Sequence, residues 1–114
     1  MKITISAIQN IVTKHFRHCP EFNIYTLEDK SIISFERIPN PGYKPDFLPV
    51  FLNNLGIKII ISGEMKQSAT HLFNRFDIEV IVGVSETTRA AAEQYAEGTL
   101  ILTGSECHQH HDDC

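Results

Sequence analysis

The sequence predicts an α/β fold: a mixed five-stranded sheet in the order β-β-β-α-β-α-β-α, with helices on both faces. Three observations lead there. The first forty residues read as strands, because residues 2–6 alternate apolar and polar and two β-rich runs flank the turn Glu28-Asp29-Lys30. From Pro45 onward the apolar spacing changes from two to the helical period. Two short, nearly continuous apolar runs, residues 57–62 and 78–84, then alternate with helical stretches, as strands covered on both faces do.

Each element has its own signal. Lys2-Ile3-Thr4-Ile5-Ser6 is the first strand, and residues 7–21 show no period and are expected to be a loop. Residues 22–27 and 31–38 pair as a hairpin, ended by Pro39, Pro41 and Gly42. Phe47, Leu48, Phe51, Leu52 and Leu55 recur at helical spacing, and Gly56 stands where that helix stops. Pro49 is compatible with it only in the first turn, where a missing N–H breaks no intrahelical bond. Ala69, Leu72, Phe73 and Phe76 mark a second helix. A third runs from an N-cap at Ser85 to Gly98, and Leu100-Ile101-Leu102 is a last strand or packs on the sheet. Right-handed crossovers join the parallel strands. Residues 1–104 are expected to form a single α/β domain, followed by a flexible tail.

Composition narrows the function classes. The 114 residues are 42% hydrophobic and 21% charged, which excludes collagen-like, disordered and coiled-coil chains. No apolar run is longer than Ile59-Ile60-Ile61, far short of the roughly 20 residues that span a bilayer, so no membrane association is expected. Without a signal-peptide pattern at the start, we expect a soluble cytoplasmic protein. The net charge of −4 is uneven: residues 1–104 hold 11 acids against 10 bases, and the last ten residues hold the other three acids. Such a chain lacks the basic face of a nucleic-acid binder. With three cysteines, an odd number, thiol or metal chemistry is expected over a disulfide framework.

Residues 105–114 read Ser-Glu-Cys-His-Gln-His-His-Asp-Asp-Cys. Cys107, His108, His110, His111 and Cys114 are the ligand types that zinc, copper(I), nickel and iron prefer. Their spacing is not that of a zinc finger, so it points to zinc or another divalent transition metal without choosing one; the alternative is a tail with no function. A second cluster, His15-Phe16-Arg17-His18-Cys19-Pro20, sets a thiol among imidazoles and a guanidinium. That arrangement suits a ligand or a reactive cysteine, and equally an ordinary loop. Gly63, in Ser62-Gly63-Glu64, lies between a buried strand and a helix, where open α/β sheets bind ligands or simply turn tightly. His71 reads as a surface or boundary residue. No nucleophile elbow, P-loop or dinucleotide fingerprint is present, and no carboxylate on the first strand supports two-metal chemistry. We expect a protein that is not an enzyme.

These segments resemble the dinitrogenase iron–molybdenum cofactor biosynthesis family, as a small stand-alone member. The family's His-Phe-Gly-Arg-(Ala/Cys)-Pro-x-Phe segment is answered by residues 15–22, from His15 through Cys19 to Phe22. Its Leu-x-x-Leu-Gly-(Ile/Val) helix end is answered by Leu52-Asn53-Asn54-Leu55-Gly56-Ile57, and its small-residue turn by Ser62-Gly63-Glu64-Met65-Lys66-Gln67-Ser68-Ala69. Phe76-Asp77-Ile78-Glu79-Val80 answers a further phrase without its glycine, and many stand-alone members end in a Cys/His-rich tail. Two departures stand out: Arg17 replaces the loop glycine, and Met65, Lys66 and Gln67 replace a more glycine-rich turn.

The resemblance implies a ribonuclease-H-like three-layer fold without nuclease activity. It also implies a carrier of iron–sulfur or iron–molybdenum-type clusters, with His15 and Cys19 in the cluster-facing loop; His18 and, from its place at a strand end, Gly63 are the further cofactor-binding candidates. Expected partners are metal or cluster donor and acceptor proteins, and the expected state is a monomer or weak dimer. The other reading is a small interaction or regulatory domain whose tail buffers a divalent metal. A third is a small enzyme with Cys19 as nucleophile.

Overall fold

Strand β1 (Lys2–Ile8) sits at the middle of the sheet, and its alternation serves two buried faces rather than one. Ile3 and Ile5 point to one layer, while Thr4 and Ser6, equally buried, point to the other. The computed structural model describes residues 1–16, 19–41 and 47–98. Within them β1 pairs antiparallel with β3 (Glu21–Glu28) and parallel with β5 (Ile57–Ile61). Strand β4 (Ser31–Pro39) lies outside β3, and β6 (Glu79–Ile81) lies outside β5, giving the order β4-β3-β1-β5-β6.

Three layers result. Helices α1 (Phe47–Asn54) and α2 (Gln67–Arg75) cover one face, packing Leu48, Leu52 and Phe73 on Phe22, Ile24 and Ile60. Helix α3 (Thr88–Glu97) covers the other, packing Ala91 and Ala92 on Ile3, Ile5, Tyr25 and Ile61. The fold class and the helices on both faces are thus as the pattern predicts. Pro49 is the third residue of α1, where its missing N–H breaks no helical bond, and Gly56 takes φ +84 just beyond the helix.

Three expectations are corrected. Among the described residues the sheet has six strands, not five: within the expected loop 7–21, β2 (Ile11–Val12) pairs antiparallel with the end of β1. Gln9 and Asn10 (φ 50 and 70) form the left-handed pair that a two-residue hairpin turn requires. A two-residue strand is too short to show a period. The strand predicted over 78–84 is only β6, because the chain turns at Gly83 (φ +86), whose N–H donates to the Gly63 carbonyl at 2.6 Å. Finally, Thr87, not Ser85, caps α3, its hydroxyl accepting from the Ala90 N–H at 3.1 Å. The delay has a cause. The Glu86 carbonyl accepts from the Val12 N–H at 3.0 Å and the Thr88 N–H donates to the Asn10 carbonyl at 2.9 Å, so the chain pairs with the β1–β2 hairpin before it coils. Residues 100–102 lie outside the described residues.

Candidate site at the strand ends

The parallel strands β1, β5 and β6 end on one side of the sheet, where open α/β folds collect their ligands. Two segments meet there. The residues after β2 run past the turn after β5, and main-chain bonds join them: Gly63 N–H to Thr13 O at 3.0 Å, Glu64 N–H to Lys14 O at 2.6 Å, and Phe16 N–H to Glu64 O at 2.9 Å. His15 and Glu64 thereby form a parallel bridge.

Glycine at position 63 is dictated by this approach. A Cβ there would stand 2.5 Å from the Thr13 carbonyl oxygen and 2.6 Å from that of Lys14, distances no side chain tolerates. Below the bridge lies a buried hydroxyl cluster. Thr13 Oγ1 donates to Ser6 Oγ at 2.7 Å, and Ser6 Oγ donates to Ser62 Oγ at 2.8 Å. Each of these oxygens has a partner, as burial requires.

Above the bridge, His15 and Glu64 hold their side chains half-exposed, with Nδ1 3.3 Å from Oε1. Phe16 anchors the loop from below, its ring edge-on to Phe73 of α2 at 5.6 Å and tilted against Phe22 of β3 at 6.2 Å.

Cys19 lies differently from His15. It is 3% exposed and belongs to the core layer under α1 and α2. Its N–H donates to the Phe16 carbonyl at 3.1 Å, and Asn40 Nδ2 donates to its carbonyl at 2.9 Å and approaches Sγ at 3.6 Å. Burial pushes the thiol up from 9.0 to about 11, and the Asn40 contact only partly opposes this. A thiol so placed is protonated at neutral pH, which disfavours both nucleophilic attack and metal ligation.

Met65, whose bulk departs from the family turn, is buried in the same core layer. His71 is exposed on α2. Among the described residues no three His, Cys, Asp or Glu side chains converge as a metal cage. His18, Arg17, Cys107, His108, His110, His111 and Cys114 lie outside the described residues.

Glu64 is the site residue that sequence reasoning passed over. It stands forty-nine positions after His15, and no local motif connects the two; only the backbone bridge brings them together.

Fold and site define a class: small three-layer α/β domains with a histidine-bearing rim at the carboxyl ends of parallel strands. The chain belongs to the dinitrogenase iron–molybdenum cofactor family, whose model matches residues 1–98. Among solved structures, the crystal structure of PH0822 is similar at 25% identity, covering 90% of this chain and 94% of that one, with a TM-score of 0.83. A dinitrogenase-like protein from Methanocaldococcus jannaschii shares the fold at 20% identity, with 89% and 92% coverage and a TM-score of 0.73. A NifB-like protein from Thermotoga does so at 20% identity, with 90% and 93% coverage and a TM-score of 0.67. No curated protein matches the chain. No described helix is long and apolar enough to cross a membrane.

Proposed function

We propose that the protein carries a metal or an iron–sulfur or iron–molybdenum-type cluster as cargo in the cytoplasm, taking it from one protein and handing it to another without catalysing a reaction. Membership of the iron–molybdenum cofactor family over residues 1–98 is the observation that carries this reading. The donor set fits in part. An imidazole held half-exposed beside a carboxylate is how proteins present a histidine to a soft or borderline metal. Cys19 does not fit while its thiol is buried and protonated, so the body offers His15, with His18 and Gly63 as neighbours in sequence and space respectively. Cys107 and Cys114 add two of the thiolates that an iron–sulfur cargo prefers, and His108, His110 and His111 add imidazoles.

Anaerobic reconstitution with iron and sulfide tests the proposal. We expect visible charge-transfer absorbance that falls in His15→Ala. Absence of such absorbance in the unaltered chain would refute the cluster reading. The second reading, an interaction domain whose tail buffers a divalent metal, has one observation in its favour: all five tail donors lie beyond the family match. It predicts zinc or nickel binding that disappears on removal of residues 105–114 and is untouched by His15→Ala.

A further inference from the structure

We infer that Glu64 is a positioning residue that selects the tautomer of His15, accepting its Nδ1–H and leaving Nε2 as the lone pair offered at the rim. The cargo side of this inference rests on the carrier reading; the tautomer side does not. A neutral imidazole keeps one nitrogen as donor and the other as acceptor, and a partner on one nitrogen decides which. Here Glu64 Oε1 stands 3.3 Å from Nδ1. A carboxylate can only accept, so contact with Nδ1 favours a proton there and an unprotonated Nε2.

The geometry is built rather than incidental. Glu64 N–H donates to the carbonyl of Lys14, and Phe16 N–H donates to the carbonyl of Glu64, so main-chain bonds grip Glu64 from both residues flanking His15. Gly63, which tolerates no Cβ, lets the two backbones close to that distance. The backbone bridge therefore sets His15 and Glu64 side by side, and their half-exposed side chains meet at 3.3 Å. Outer carboxylates of this kind orient metal-ligating histidines, and losing one typically weakens metal binding roughly 10–100-fold. Both side chains are half-exposed, which places the expected loss near the lower end.

The test is nitrogen-15 NMR of the metal-free full chain labelled at histidine, at about pH 8.5, where imidazoles are neutral. We expect His15 in the Nδ1–H form, shifting towards Nε2–H in Glu64→Ala and retaining Nδ1–H in Glu64→Gln, whose amide oxygen still accepts. An Nε2–H His15 in the unaltered chain overturns the inference, as does a tautomer indifferent to Glu64→Ala. Cobalt(II) titration of the same proteins supplies the cargo side. Binding about 10-fold weaker in Glu64→Ala, with Glu64→Gln near the unaltered value, supports the positioning role. If the tautomer responds as expected while His15→Ala leaves cobalt binding and cluster reconstitution unchanged, the tautomer assignment stands and the part of His15 in the carrier reading falls.

Discussion

Cys19 and Gly63 show how far a residue's surroundings decide its chemistry. Beside His15, Arg17 and His18 in sequence, Cys19 reads as an activated thiol, yet its side chain turns into the core, and desolvation outweighs what its sequence neighbours suggest. We expect native protein at pH 8 to resist iodoacetamide at Cys19, with rapid reaction after denaturation, as peptide mapping would show. The folded thiol holds its proton more tightly than the unfolded one. Its contribution to stability, about 3 kcal/mol, is complete below about pH 9 and is lost as pH rises through 11. Comparing urea midpoints of the unaltered chain and Cys19→Ala across that window checks the sign. Gly63 is constrained by geometry instead: Gly63→Ala forces apart two backbones and should cost about 1–3 kcal/mol or more, read as a lowered midpoint.

At the scale of elements, α3 illustrates competition between local and tertiary bonding. Ser85 and Thr87 are both acceptable N-caps by residue type, and pairing of the preceding segment with the β1–β2 hairpin selects the later one. Thr87→Ala should therefore cost about 1 kcal/mol, while Ser85→Ala should be nearly neutral in thermal unfolding. The next residue ties α3 to the sheet. Thr88 Oγ1 accepts from Asn23 Nδ2 at 2.7 Å and lies 2.8 Å from the Tyr25 hydroxyl, all in the interior. Thr88→Val keeps the shape, removes the partner of the Tyr25 hydroxyl and leaves Asn23 Nδ2 with Asn10 Oδ1 alone, an expected loss of about 1–3 kcal/mol by the same measurement. Neither tie leaves a mark in the sequence, because its partners lie more than sixty residues away.

Across the whole molecule the sheet divides the interior into two layers, one under α1 and α2 and one under α3. Leu52→Ala in the first layer should cost about 2–5 kcal/mol and Ile5→Val in the second about 0.5–1.5 kcal/mol. Since the two layers do not share a cavity, the double variant should lose their sum within about 0.5 kcal/mol in urea unfolding. By itself, the sequence determined the alternation of strands and helices, the end of α1 at Gly56 and the family, because these rest on short-range periodicity, stop signals and local motifs. Only the tertiary structure decided the sixth strand, the cap of α3, the burial of Cys19 and the meeting of His15 with Glu64. Each of those depends on which distant backbone lies alongside, and a pattern read along one chain holds no record of that distance.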